Sequence, residues 1–130
     1  MSIELDHSIV MARQRDASAR QLAQLLGVPS GPAAAGPFYA VYVNDGLTLD
    51  FESSGQDFPA QHYCFRVSEE AFDQILGRIQ AAGIDFRSDV MGPVDHQVGR
   101  RLGGRGIYWN VPEGHVWEIL TVSYARPPRL

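Results

Sequence analysis

Three side chains of this 130-residue sequence could together hold a metal ion: His7, His62 and Glu118. Glu118 lies within the apolar segment HVWEIL, and a carboxylate between apolar neighbours is costly to bury unless it is paired or binds a metal. Two histidines and one carboxylate form a ligand set that holds one face of a divalent metal and leaves positions open for substrate. The alternative is that both histidines are buried and hydrogen-bonded, and that Glu118 forms an ion pair with an arginine.

Four further residues could contact a substrate or move a proton near such a site. His96 lies in a predicted loop and could act as an acid or base, because imidazole exchanges protons near neutrality, but loop histidines are often only exposed. Arg105 could clamp a substrate anion, and Tyr108 could line a cleft or pack in the core. Cys64 shares a strand face with His62 and could also contact substrate; no base is placed to activate its thiol, so packing is the alternative.

A predicted β-hairpin at residues 104–122 positions Glu118. An apolar strand leads into a tight turn at residues 112–114, and a second strand follows at residues 115–122. Alternation with a period of two places Val116, Glu118 and Leu120 on one face of this second strand. The carboxylate is therefore expected to share its face with apolar side chains.

The rest of the chain predicts two amphipathic helices and several further strands. Asp16 is expected to cap the first helix, which Gly27 ends, and Ser68 to cap the second, which Gly83 ends. Residues 29–37 are rich in proline, glycine and alanine and are interpreted as a loop, as are residues 91–104. Strands are expected at residues 3–11, 38–43, 47–52, 61–67 and 85–88.

The order of strand, helix and strands occurs twice, which indicates an internal repeat. Each half opens on a strand with a histidine, His7 or His62, and closes on a strand with a mid-strand carboxylate, Asp50 or Glu118. Halves of this size fold poorly alone, so two modules that share one core are expected. Pairing the modules would bring their first and last strands to a common cleft, with both histidines as partners of Glu118.

The segments LDHSIV, QHYCFRVS and GRGIYWNVPEGHVWEIL together resemble the vicinal oxygen chelate superfamily, which includes glyoxalase I, bleomycin-resistance proteins, fosfomycin-resistance enzymes and extradiol dioxygenases. The resemblance covers essentially the whole chain. It implies one α+β domain over residues 1–130, built from two paired βαβββ modules at about 1–57 and 58–130. These modules would form a curled mixed sheet around a central metal cleft, with helices on the outer face. The loop at residues 29–37 departs from the pattern, because a strand is expected there.

The resemblance also implies a chemistry. One divalent metal, Fe(II), Mn(II), Ni(II) or Zn(II), would be held by His7, His62 and Glu118, with Asp50 as a fourth ligand or as a polar residue facing the substrate. A small substrate would bind the metal through two vicinal oxygens and undergo ring cleavage by a dioxygenase or proton transfer by a glyoxalase-like lyase. The alternative is a metal-free small-molecule binding protein similar to bleomycin-resistance proteins. A homodimer is expected, and no organic cofactor is evident.

Composition argues against several other classes of protein. A net charge of -4 does not suit a nucleic-acid partner, because phosphate binding requires a basic surface. A single cysteine excludes an intramolecular disulfide and a cysteine-rich zinc site. No segment reaches the roughly 18 apolar residues of a membrane span, and the acidic N-terminal segment is unlike a signal peptide. A cytoplasmic protein with no membrane partner is therefore expected.

Overall fold

The computed structural model describes residues 2–127 and divides the chain into two compact units, Met1–Pro59 and Ala60–Leu130. One unit contains a four-stranded mixed sheet and the other a three-stranded mixed sheet, and each unit has one α-helix. The predicted α+β class with mixed sheets is confirmed. No helix among residues 2–127 is both long enough and apolar enough to cross a membrane.

The first unit follows the order strand, helix and three strands. Its elements are β1 (His7–Ala12), α1 (Arg15–Leu26), β2 (Ser30–Pro32), β3 (Tyr39–Asn44) and β4 (Leu47–Ser53). The sheet order is β1-β4-β3-β2, with β1 parallel to β4 and the other pairs antiparallel. A parallel neighbour requires a crossover connection, which α1 and the strands after it provide.

Two details of the first unit differ from the sequence prediction. The predicted N-cap at Asp16 is wrong: α1 begins at Arg15, whose backbone N–H donates to the Ser53 hydroxyl at 3.1 Å. The cap therefore comes from β4, which a local sequence pattern does not reveal. The predicted loop at 29–37 is also wrong in part, because β2 pairs with β3 at its start. A strand containing Pro32 is tolerated there because β2 lies at the sheet edge.

The second unit contains one strand fewer than the first. Its elements are β5 (His62–Arg66), α2 (Glu69–Ala81), β6 (Gly106–Asn110) and β7 (Val116–Leu120), with sheet order β5-β7-β6. The predicted cap of α2 is confirmed, because the Ser68 side chain accepts a hydrogen bond from the backbone N–H of Ala71 at 3.1 Å. The chain turns at Gly83, where φ is +69°.

The strand predicted at residues 85–88 is wrong and is reduced to a single bridge between Arg87 and Tyr108. The ladder stops there because Asp95 captures the next residue: the Ser88 backbone N–H donates to the Asp95 carboxylate at 3.0 Å. The shortened module is thus the second one, whereas the sequence pattern placed the compression in the first.

The predicted hairpin is confirmed and forms the core of the second unit. β6 and β7 are antiparallel, with Trp109 opposite Trp117, and both indole side chains are buried. The neighbouring Ile107 and Ile119 also lie opposite each other and have no exposed surface. Because β7 is the central strand, its side chains are enclosed by β5 on one side and by β6 on the other.

The two units place their histidine and carboxylate in the same register. In the first unit His7 lies two residues before the β1 position that is opposite Asp50 on the parallel strand β4. In the second unit His62 lies two residues before the β5 position that is opposite Glu118 on the parallel strand β7. The repeat seen in the sequence is therefore also a repeat of strand register within each sheet.

Candidate metal and substrate site

Glu118 is a charged side chain at the centre of the second unit's sheet, with only 1% of its surface exposed. It lies opposite Cys64 on β5 and opposite Tyr108 on β6. Burying a carboxylate without a polar partner costs roughly several kcal/mol. The polar partners of Glu118 therefore determine what the site can do.

His62 is the first partner of Glu118. Its Nε2 atom lies 2.8 Å from Glu118 Oε1, and the His62 side chain is about half-buried. The partner is therefore a histidine, not the arginine of the alternative interpretation. Imidazole nitrogen and carboxylate oxygen atoms that bind one ion at about 2.1 Å and at right angles stand about 3 Å apart. The spacing of this pair thus fits two adjacent ligands of one divalent ion.

Tyr124 is the second partner of Glu118 and was not predicted from the sequence. Its hydroxyl group lies 2.8 Å from Oε1 and 2.7 Å from Oε2 of the carboxylate. The Tyr108 hydroxyl lies a further 3.4 Å from that of Tyr124. Burial, the hydrogen bond with Tyr108 and the contact with Glu118 all raise the pKa of Tyr124, so this phenol stays a hydrogen-bond donor.

Cys64 faces Glu118 from the neighbouring strand. Burial and, after it, the negative charge of Glu118 raise the pKa of the Cys64 thiol to about 12. The nucleophilic form of cysteine is the thiolate, which is therefore scarce at neutral pH. Because Cys64 is exposed, this environment suits a neutral contact with substrate better than packing in the core, and that role stays a prediction.

A small cleft of about 30 Å³ in the second unit, with room for roughly one or two water molecules, borders this cluster. Its polar part is formed by Tyr108, Glu118 and Tyr124, and its apolar part includes Leu102, Leu120 and Val122. A concave surface with a few convergent polar groups and an apolar wall is typical of small-molecule sites. The cleft agrees with the expectation that Tyr108 faces a ligand, and that role stays a prediction.

Arg105 also borders the cleft, but its guanidinium group is held by α2. Its Nη1 donates to Asp73 at 2.7 Å and its Nε to Glu69 at 3.2 Å. The guanidinium carbon lies 4.4 Å from the centre of the Phe72 ring. These contacts make Arg105 a link between the hairpin and α2, and its use as an anion clamp stays a prediction.

His96 lies apart from the Glu118 cluster. It has a left-handed backbone with φ of +53°, its Nε2 lies 3.0 Å from Asp85, and its ring packs edge-on against Phe86. Histidine tolerates a positive φ better than most residues. Together with the contacts to Asp85 and Phe86, this gives His96 a structural role in the loop. A catalytic role for His96 stays a prediction.

In the first unit, His7 and Asp50 line a separate and more open cleft together with Tyr42 and Phe38. His7 is largely exposed, and its Nδ1 lies 2.8 Å from Asp6. The hydrogen bond with Asp6 and the charge of that carboxylate raise the pKa of His7, and Asp50 adds to the effect. A neutral Nε2 remains the atom through which His7 could bind a metal.

The structure places His62 in contact with Glu118 in the second unit, whereas His7 and Asp50 only line the same cleft of the first unit. Within residues 2–127, no group of three or more His, Cys, Asp or Glu side chains lies close enough together to hold a metal ion. The His62–Glu118 pair fits a divalent ion in its donor types and spacing. The complete ligand set stays a prediction.

Comparison with known proteins gives clear matches among solved structures. No family model matches the chain, and no curated protein matches it. The chain is similar to the solved structure of oxidase ChaP-H2, with 42% identity, a TM-score of 0.88, and coverage of 96% of this chain and 98% of that one. Oxidase ChaP-H1 is 42% identical, with a TM-score of 0.87, over 96% of this chain and 100% of that chain.

A more distant match shows the fold alone. The fosfomycin resistance protein FosX from Listeria monocytogenes is 18% identical, with a TM-score of 0.69, over 95% of this chain and 97% of its own length. Fosfomycin-resistance enzymes are among the proteins that the three sequence segments resemble. The near-complete coverage at 42% identity and the shared fold together show that the chain belongs to the vicinal oxygen chelate superfamily, in the same family as the ChaP-H oxidases.

Proposed function

We propose that this protein is a metal-dependent oxidase or dioxygenase. Its substrate is a small molecule that offers two adjacent oxygen atoms, and molecular oxygen is the electron acceptor. The observation that carries the proposal is the His62–Glu118 pair, a buried carboxylate 2.8 Å from an imidazole nitrogen at the edge of a cleft. The 42% identity to two proteins named as oxidases supports oxidation over the lyase alternative.

His7, His62 and Glu118 are the proposed metal ligands. His62 and Glu118 are supported by their contact, and His7 by its equivalent register in the first unit. Asp50 is the weaker, fourth candidate because its side chain is one methylene shorter than that of glutamate. When bound, Fe(II), Mn(II), Ni(II) or Zn(II) would act as a Lewis acid toward the two substrate oxygens, and iron would also transfer electrons.

The other residues of the cleft bind and orient the substrate. Tyr108 presents its hydroxyl group beside Glu118, where it can donate to a substrate oxygen, and Tyr124 donates its own proton to the Glu118 carboxylate. Leu102, Leu120 and Val122 cover the apolar part of the substrate and keep water out. Protonated Cys64 contributes a neutral surface instead of a nucleophile.

Oxygen consumption tests the proposal directly. Metal-free protein is loaded separately with each of the four metals and mixed with a panel of aromatic ortho-diols; the matching mono-phenols, which cannot chelate, are the control. We expect oxygen uptake with at least one metal and ortho-diol and none with mono-phenols. Glu118→Gln should lower the rate of uptake by about 100-fold, the upper end of what loss of a group that orients a metal ligand costs. Tight binding of the compounds by metal-free protein, without uptake under any loading, would instead establish a binding protein.

A further inference from the structure

We propose that Tyr124 is a positioning residue that leaves only one oxygen of Glu118 free to bind the metal. This inference rests on the proposed metal site and adds a residue from the segment that follows β7. Tyr124 donates to the carboxylate from the side of the cleft, whereas His62 approaches Oε1 from β5. The two contacts give the carboxylate oxygens different roles: one oxygen faces the histidine, and the other accepts a hydrogen bond from the phenol.

The division follows from the number of protons available. A phenol has one hydrogen atom to donate, so Tyr124 can satisfy one carboxylate oxygen at a time although both lie within 2.8 Å. Both carboxylate oxygens lie within hydrogen-bond distance of Tyr124, at 2.8 and 2.7 Å, but Oε1 is already the partner of His62 Nε2. Tyr124 therefore holds Oε2, and Glu118 presents Oε1 beside the imidazole.

The segment between β7 and Tyr124 is held to the sheet by hydrogen bonds and packing, which fix the position of the phenol. Thr121 exchanges two hydrogen bonds with Arg105: its hydroxyl accepts from the Arg105 backbone N–H at 2.9 Å, and its own N–H donates to the Arg105 carbonyl at 3.0 Å. Val122 packs against Gly104, where an added methyl group would come within 2.8 Å of it. The glycine thus permits the close approach that places Tyr124 over Glu118.

A metal held by His62 and one oxygen of Glu118 would keep a coordination position for the substrate. A carboxylate that binds through one oxygen occupies one coordination place, whereas one that binds through both occupies two and competes with the substrate. Groups that orient metal ligands in this way commonly change metal affinity by about 10- to 100-fold when they are removed. We therefore expect Tyr124 to influence both affinity and the coordination of the ion.

The test uses Co(II) alone as a probe of metal-free full-length protein. Affinity is measured by competition with a chelator, and coordination by the visible absorption spectrum of bound Co(II). Tyr124→Phe removes only the hydroxyl group and is expected to weaken Co(II) binding about 10- to 100-fold and to alter the spectrum. Tyr63→Phe is the matched control, because Tyr63 stacks on Trp117 at 4.6 Å, on the face of β5 away from Glu118.

The outcomes separate this inference from the proposed function. If wild-type protein binds no Co(II), the metal site itself is refuted. If wild type binds Co(II) and Tyr124→Phe retains its affinity within twofold and its spectrum, the positioning role alone is refuted. Tighter binding by Tyr124→Phe would also refute it, because the hydroxyl would then compete with the ion. A weakened Tyr124→Phe with a changed spectrum, beside an unchanged Tyr63→Phe, supports the role.

Discussion

Replacement of Glu118 by methionine is expected to leave the metal-free protein as stable as wild type or slightly more stable. The carboxylate is 1% exposed on the central strand of its sheet, so its desolvation opposes folding. Methionine has a similar volume and an adaptable side chain. The two polar partners of Glu118, His62 and Tyr124, are each about 40% exposed, so water can replace the hydrogen bonds that they lose in the variant.

The magnitude follows from measured behaviour of buried ion pairs. Exchanging both members of such a pair for apolar groups is neutral or stabilising by about 1–4 kcal/mol, whereas removing one member costs about 3–5 kcal/mol when a buried charge is left behind. Glu118→Met removes the buried member and leaves the partly exposed His62 within reach of water, so we expect a gain near zero, about 0–1 kcal/mol. A chain of 130 residues has an unfolding entropy of about 0.3 kcal/mol/K, so 1 kcal/mol corresponds to a rise in Tm of about 4 °C.

Thermal unfolding of metal-free protein, followed by circular dichroism, measures this effect. Glu52→Met is the control, since Glu52 is a less buried carboxylate on β4 and its replacement should change stability by no more than about 0.5 kcal/mol. A loss of about 3 kcal/mol or more in Glu118→Met, a fall in Tm of about 10 °C, would contradict the reasoning. Glu118 would then serve as a structural ion-pair partner and not as a costly residue retained for binding.

Three further expectations concern the surroundings of the site. Alkylation of Cys64 at pH 8, followed by mass spectrometry, should be slow because its pKa is about 12, and Glu118→Gln should accelerate it by removing the neighbouring charge. The pKa of His7, measured by NMR titration, should fall in Asp6→Asn, because a neutral amide replaces the carboxylate that accepts the imidazole's hydrogen bond. Metal binding requires the neutral imidazole, so uptake by that variant should persist to lower pH, and an unchanged pH midpoint would count against His7 as a ligand. Gly104→Ala should lower the free energy of unfolding by about 1–3 kcal/mol in urea denaturation, because its methyl group would lie 2.6 Å from the Thr121 hydroxyl.

The sequence alone predicted the elements that follow from strong local patterns. The hairpin carrying Glu118, the Ser68 cap and the two amphipathic helices are all present, because alternation, capping chemistry and helical periodicity act within a few residues. The contact between His62 and Glu118 was also expected, since the repeat relates their strands. It depends on parallel register, which the structure supplies.

The errors lie where distant residues decide the local structure. The start of α1 is set by Ser53, nearly forty residues along the chain, so the local capping signal at Asp16 was misleading. The edge strand β2 contains glycine and proline, which argue against a strand unless a partner such as β3 is already in place. Residues 85–88 have a strand-like pattern, but Asp95 takes the N–H that would continue the ladder.

Tyr124 was missed because no motif in the residues beside it indicates a role. It follows the last strand in a segment without regular structure, and its importance comes from its distance to Glu118. The even spacing of six residues from Glu118 would place it on the same face of an extended strand, which is the one signal the sequence offers. Arg105 shows the opposite case, since its position beside the cleft was anticipated but its ion pairs with α2 were not.

The metal content of the protein tests the central claim most directly. The protein is purified without chelator or metal-binding tag and analysed by mass spectrometry for wild type, His62→Ala and His96→Ala, the last serving as a histidine control outside the Glu118 cluster. We predict about one divalent ion per wild-type chain, its loss in His62→Ala and its retention in His96→Ala. No bound metal in wild type, even after exposure to Fe(II), Mn(II), Ni(II) and Zn(II), or equal content in wild type and His62→Ala, would contradict the assignment of the His62–Glu118 pair as a metal site.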